Sequence, residues 1–253
     1  MPDLVVENLR ARLGRVEILR NVSLEAWRSE LVAIMGPNGA GKTTFLRVLA
    51  RIVRKSGGRV ELLGKDIYEY SRREYAKLVA YSSLERTPGF RMRVREVLET
   101  SLYPLALPRN EVLKRIEWVA KVLDIEHLLD RDLATLSSGE FQRVSLATCI
   151  ARKPTLLLLD EPVAHLDPKH QLEVLHLVRD LSKELKIVTL MVLHDPKQAL
   201  DFCDRAMLLR NGATIAHGEV SKVLTEELLS KTFDVKVRIV EVPNLGRLIH
   251  VSI

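Results

Sequence analysis

Cysteine is scarce in this chain: only Cys149 and Cys203 occur among 253 residues. They lie far apart and form no metal-type spacing, so no disulfide framework is expected and a reducing compartment fits. Long apolar runs are missing too. The longest nearly uninterrupted one is Ile187 to Leu193, with Thr189 inside it, far short of the roughly 18 to 20 residues that span a bilayer. No segment is therefore expected to cross a membrane. Met1 to Leu9 carries Asp3 and Glu7 and has no basic region ahead of an apolar stretch, so a secretory leader is not expected either, and the cytosol is the default. There is no internal repeat and no low-complexity linker.

What is present is ordinary globular composition. Lys and Arg number 39 against 33 Asp and Glu, a net charge of +6, and 47% of residues are hydrophobic, which argues against disorder. Cores stop growing near roughly 250 to 300 residues, so one large core, or one core with an inserted lobe, is expected. The basic balance fits nucleic acid, an anionic membrane surface or simply many surface charges, and composition does not choose among them.

Short apolar runs alternate with longer amphipathic stretches, the pattern of a mostly parallel sheet with crossover helices. The start differs: Asp3 to Arg12, a turn near Gly14 and Val16 to Trp27 read as antiparallel strands. Leu31 to Met35 reads as a buried strand, followed by glycines and a helix from about Gly41 to Val53. From about Thr87 to Arg152 the spacing is helical, at Val94 to Tyr103, Arg109 to Leu123 and Glu140 to Ala151, with no strand-like run between. That stretch reads as an inserted helical lobe. Strand patterns return at Thr155 to Leu159, Ile187 to Leu193 and Ala206 to Leu209, with a helix from Lys169 to Lys186 between the first two. Asn211-Gly212 is a strong hairpin signal, because a type I′ turn needs positive φ at both central residues. Val235 to Val242 and Arg247 to Ile253 read as a second hairpin around Pro243 to Gly246.

Three segments carry chemistry. Gly36-Pro37-Asn38-Gly39-Ala40-Gly41-Lys42-Thr43 fits G-x-x-x-x-G-K-[ST] between a strand and a helix, with Thr44 next. Glycines let consecutive backbone N–H groups converge on an anion, and the following helix offers its positive end. Lys42 would reach the β- and γ-phosphates of a nucleotide and the Thr43 hydroxyl would ligate Mg²⁺. The glycine spacing is not that of a dinucleotide fold. Second, Leu156 to Leu159 ends in Asp160-Glu161 before Pro162, and ligands gather at the carboxyl ends of strands. Asp160 would hold the metal through water, and Glu161 would orient or deprotonate an attacking water. Third, the apolar run to Leu193 ends in His194-Asp195, where an imidazole could hydrogen-bond a γ-phosphate. His127, His170, His176, His217 and His250 read as structural or solvated.

Leu136-Ser137-Ser138-Gly139-Glu140, followed by Phe141-Gln142-Arg143, lies between the two nucleotide motifs. It closely resembles the LSGGQ signature of ATP-binding-cassette (ABC) ATPases. The phosphate loop, this signature, the LLLLDE strand, His165-Leu166-Asp167 at the D-loop position and His194 at the switch position follow that family's order over nearly the whole chain. The resemblance implies an α/β fold, namely a P-loop NTPase (RecA-like) core with an N-terminal antiparallel β-subdomain and an inserted α-helical subdomain. The expected division is a single ATPase domain over 1–253, with core at 1–86 and 152–230, helical subdomain at 87–151 and a C-terminal hairpin at 231–253.

The signature's small residues suit an anion site at a helix N-terminus, with the Ser137 hydroxyl and the N–H groups near Gly139 as donors, and the resemblance assigns Ser137, Ser138, Gly139 and Glu140 to that site. That site lies too far along the inserted lobe to serve its own phosphate loop. The resemblance implies a head-to-tail homodimer in which each signature closes on ATP held by its partner, with Asp167 at the same junction. It further implies ATP hydrolysis with Mg²⁺, transmembrane permease subunits above the pair, an extracellular substrate-binding protein, a place on the cytoplasmic face of the membrane, and no nucleic acid partner.

Two positions depart from the family. Its adenine-stacking aromatic is replaced by Leu13, which predicts weak base discrimination. Its Gln at the lobe junction, after Val79-Ala80-Tyr81-Ser82-Ser83, is replaced by Leu84, with Glu85 beside it. Arg86, Arg91, Arg93 and Arg95 begin the helical lobe, where family members receive a permease coupling helix. The Ala206 to Gly212 stretch, His217-Gly218-Glu219, Leu229 to Val240 and Pro162 to Asp167 look most like the ATPases of iron-siderophore, haem and cobalamin importers. An exporter ATPase and a soluble ATPase of iron-sulfur cluster assembly are the alternatives.

Overall fold

The computed structural model describes residues 1–82, 91–164, 166–242 and 246–252. Its first three strands are β1 (Leu4–Leu13), β2 (Val16–Ala26) and β3 (Leu31–Met35). Next come α1 (Lys42–Leu49), β4 (Lys55–Leu62), β5 (Lys65–Asp66), α2 (Arg72–Leu78) and β6 (Val79–Tyr81). The middle holds α3 (Val94–Leu102), α4 (Arg109–Val122) and α5 (Ser138–Ile150). Then follow β7 (Leu156–Leu159), α6 (Pro168–Glu184), β8 (Val188–Val192) and α7 (Pro196–Phe202). The chain ends with β9 (Arg205–Arg210), β10 (Ala213–Glu219), α8 (Val220–Val223), α9 (Glu226–Phe233), β11 (Lys236–Val242) and β12 (Gly246–Ser252).

Ten strands form one sheet in the order β5-β4-β1-β2-β10-β9-β3-β8-β7-β6. Its far half, β9-β3-β8-β7-β6, is parallel. Here the strands are buried on both faces, which is why Leu31–Met35, Leu156–Leu159 and Val188–Val192 read as continuous apolar runs rather than alternations. Successive side chains feed opposite layers. Leu31, Ala33 and Met35 join the core beneath α3 to α6, whereas Val32 and Ile34 join the one beneath α1 with Phe45 and Leu49. The antiparallel β1, β2 and β4 are not a separate sheet, because β10 pairs alongside β2 with Ala213 opposite Asn21.

Among the described residues from Val94 to Ile150 the regular elements are all helical, as the spacing there predicts. The helix ends differ from the sequence pattern for local reasons. Ser137 caps α5, so it begins at Ser138 rather than Glu140. The helix after the phosphate loop stops at Leu49, and Arg51 then adopts a φ of 59°. The Asn211-Gly212 signal does join β9 to β10, with φ of 50° and 75° at those two residues. Strands β4, β5 and β6 carried no periodic signal of their own. β4 contains Gly57 and Gly58 and buries fully only Val60 and Leu62, while β6 has three residues and follows α2 without a break.

Candidate functional site

Parallel β3, β7 and β8 end on the same side of the sheet, so the segments after Met35, Leu159 and Val192 meet. The phosphate loop leaves β3 with Gly36 at a φ of 150°, Gly39 at 78° and Gly41 at 103°. Gly36 is also required by space, since a Cβ there would lie 2.0 Å from the Leu209 carbonyl oxygen. The loop is tied down by Ala40 N–H donating to the Pro37 carbonyl and Gly212 N–H donating to the Ala40 carbonyl, both at 3.1 Å. Gly41 occupies the N-cap of α1, with no side chain between the helix end and the loop.

Lys42 is buried, and its Nζ donates to the carbonyls of Gly36 at 2.8 Å and Pro37 at 3.1 Å. Burial pushes the Lys42 ammonium below its usual range, while Glu161 and Asp160 pull it back up. The next residue reaches the acid strand, where the Thr43 hydroxyl donates to Asp160 Oδ1 at 3.2 Å. A cleft of about 390 Å³ runs over Asn38, Gly39, Gly41, Lys42, Thr43 and Thr44 to Glu161, with Ile18 on its apolar side.

Glu161 has a φ of 52°, the left-handed region, immediately before Pro162, which crowds the preceding backbone. Its Oε1 lies 2.8 Å from His194 Nε2. The two motif residues that the sequence placed on separate strand ends thus touch each other beside the loop. Thr43 and Asp160 offer a hydroxyl and a carboxylate, the hard oxygen set that suits Mg²⁺ shared with substrate phosphates and water. Among the described residues no cluster of three or more His, Cys, Asp or Glu forms a metal cage.

Ser137, Ser138, Gly139 and Glu140 begin α5 in a capping box. Ser137 Oγ accepts from the Glu140 N–H at 3.2 Å, and Glu140 Oε2 accepts from the Ser137 N–H at 2.7 Å. Asp167 caps α6, accepting from the His170 N–H, and its carboxylate is held low by the His170 ring at 2.5 Å. A Cβ on Gly139 would lie 3.5 Å from His170 Cδ2, so one imidazole stands between the signature and Asp167. Leu13, 46% exposed, pairs across the hairpin end with Val16. His165, Leu84, Glu85 and Arg86 lie outside the described residues.

Sequence patterning missed Tyr81, whose hydroxyl donates to Asp160 Oδ2 at 3.2 Å and is raised by burial. Its signal was positional, because it ends β6, the parallel neighbour of the acid strand. His170 was missed as well, since its place three residues beyond Asp167 has meaning only once α6 is formed.

The sequence pattern of the ABC transporter family matches residues 19–164. The ferric enterobactin transport ATP-binding protein FepC of Escherichia coli is 31% identical over 244 residues, covering 95% of this chain and 90% of that protein. The hemin import ATP-binding protein HmuV of Bordetella avium is 32% identical over 248 residues, covering 95% of both. The solved structure of cbiO1 from Clostridium perfringens, part of the ABC transporter complex cbiONQ, superposes with a TM-score of 0.76 at 29% identity, over 91% of this chain and 93% of that one. With its phosphate loop, acid strand end and signature helix assembled as described, the chain belongs to the ABC transporter family and is one of its ATP-binding, ATP-hydrolysing proteins.

Proposed function

We propose that this protein is the ATP-hydrolysing subunit of an importer, taking up an iron-siderophore, haem, cobalamin or related metal complex. The observation that carries the catalytic part is that Lys42, Thr43 and Glu161 line one cleft, with Asp160 hydrogen-bonded to Thr43 and His194 2.8 Å from Glu161. The nature of the cargo rests on the relatives, which include a ferric enterobactin and a hemin protein. The chain is a single cassette, with core at 1–82 and 152–230 and helical subdomain at 91–151; the hairpin expected at 231–253 is β11 (Lys236–Val242) and β12 (Gly246–Ser252), because 231–233 still belong to α9.

ATP binds with its phosphates on the N–H groups of Gly39 and of residues 41–44, and its β- and γ-phosphates against Lys42. Thr43 and Asp160 would hold Mg²⁺, which would supply charge neutralisation at the phosphates. Glu161 accepts the proton of the attacking water. His194 fixes the Glu161 carboxylate through their 2.8 Å contact and hydrogen-bonds the γ-phosphate. Head-to-tail pairing of two copies brings the Ser137–Glu140 end of α5 onto ATP held by the partner. Binding closes the pair and hydrolysis reopens it.

Two permease subunits sit above, with the protein peripheral on the cytoplasmic face and an extracellular binding protein delivering cargo. Among the described residues no helix is long and apolar enough to cross a membrane. A cleft of about 730 Å³ between the loop after α1 and Pro104 supports docking there. Arg51, Arg54, Arg72 and Arg152 line it without an acid, and Arg152 Nε is buried with no partner among the described residues. It suits an acidic cytoplasmic segment, whereas Arg95 at the start of the helical lobe is already paired with Asp130.

Purification from detergent extract tests the importer. A co-purifying polytopic membrane protein encoded with an extracellular binding protein supports it, and soluble scaffold proteins overturn it. Ser137→Arg tests the shared site, with ATP binding by the monomer retained and hydrolysis abolished. Normal turnover in that variant removes the signature from catalysis.

A further inference from the structure

The signature helix carries a charge problem. α5 offers its N-terminal N–H groups and the positive end of its dipole, worth roughly half an elementary charge, to an anion. Yet the third residue of that helix is an acid, and its carboxylate already takes the Ser137 N–H at 2.7 Å. The Ser137 hydrogen bonds hold the Glu140 carboxyl below its usual range, so it is an anion throughout the neutral range. A full negative charge there outweighs the helix end and opposes any triphosphate brought to it.

One residue answers this. Arg131 Nη1 lies 3.0 Å from Glu140 Oε1, and its Nη2 donates to the Thr135 carbonyl at 2.7 Å. The guanidinium is therefore held on both sides, against the acid and against the turn that leads into the signature. Both side chains are partly exposed, at 43% and 28%. An ion pair of that kind adds little to fold stability, so its effect lies in the local field rather than in holding the lobe together.

We infer that Arg131 is a positioning residue for ATP-driven closure: it cancels the charge of Glu140, so that the signature end of α5 accepts the ATP of a second copy. This rests on the shared-site reading above. Arg131 touches no substrate and acts only through Glu140. Its loss leaves a bare carboxylate facing the incoming γ-phosphate, and removal of that carboxylate as well abolishes the repulsion.

The test uses the full chain carrying Glu161→Gln, with the ATP concentration for half-maximal dimer read by light scattering on a sizing column. ATP binding by the monomer serves as the folding control. Arg131→Met raises that concentration at least about tenfold, as like charges brought together do. Adding Glu140→Gln returns it to within about threefold of the parent, and high salt narrows the gap between parent and Arg131→Met. Arg131→Lys keeps the charge without the Thr135 contact and stays within about threefold. The proposal is overturned if Arg131→Met dimerises like the parent, if Glu140→Gln fails to rescue it, or if Arg131→Lys is as impaired as Arg131→Met. A parent that remains monomeric at saturating ATP overturns the shared site itself, and this proposal falls with it.

Discussion

Glu161 Oε1 and His194 Nε2 lie 2.8 Å apart, at the ends of neighbouring strands β7 and β8. The acid stands in left-handed backbone and is aimed by an imidazole from the adjacent strand. In the proposed mechanism the pair acts as a unit, with one group taking the proton and the other fixing its direction. Glu161→Gln should lower kcat by about 10² to 10⁴, the range for a lost general base, while ATP still binds. His194→Ala should also lower kcat with little change in nucleotide affinity. Steady-state ATPase assays beside nucleotide titration separate these effects, and equal rates for wild type and Glu161→Gln would remove Glu161 from the chemistry.

Leu13 stands where an aromatic would stack on the base, and with Val16 it leaves an exposed aliphatic pair at the hairpin end. Aliphatic contact gives no base-specific hydrogen bond, so ATP and GTP should compete nearly equally for the wild-type protein. Leu13→Tyr should tighten nucleotide binding by about 1 to 3 kcal/mol, the scale of base stacking on aromatics. Titration with a fluorescent nucleotide measures both. Unchanged affinity in the tyrosine variant would show that residue 13 does not meet the base.

Much of this site was legible because its parts are local. Gly36 to Thr43 and Leu156 to Glu161 are contiguous stretches whose residue types follow from the backbone geometry and charge that phosphate binding demands. Pairings between distant segments were not legible. Nothing in the sequence places Tyr81 on Asp160, His170 against Gly139 or Arg131 on Glu140, because those contacts arise from strand order, from the packing of the starts of α5 and α6 against each other and from the turn that leads into α5. Strand β4 was hidden for a different reason. Its two glycines and charged residues dilute the alternation, and only pairing with β1 makes it a strand.

Gly36 and Gly39 share the loop but should respond differently to alanine. A Cβ at Gly36 would lie 2.0 Å from the backbone oxygen of Leu209, in a buried strand that cannot recede. A Cβ at Gly39 meets nothing within 4 Å, leaving only the strain of a φ of 78°. Gly39→Ala should therefore cost about 1 to 3 kcal/mol. Gly36→Ala should exceed it, reaching about 4 kcal/mol or more through forced backbone displacement. Urea unfolding of the two variants gives the comparison, and equal losses would refute the steric account.

Both thiols are buried, and burial pushes Cys149 up to about 11 and Cys203 up to about 12 from an ordinary 9.0. The thiolate is the reactive form, so neither should be alkylated by iodoacetamide in the native protein at pH 8, while both react once urea unfolds the chain. A raised value also fixes the sign of the pH dependence. The unfolded chain loses these protons first, so the contribution of the neutral thiols is complete below pH 9 and is lost as pH rises towards about 12. Replacing both cysteines with alanine should flatten the fall in urea midpoint over that alkaline window relative to wild type. An unchanged slope, or rapid native alkylation at pH 8, would mean that the thiols are open to solvent.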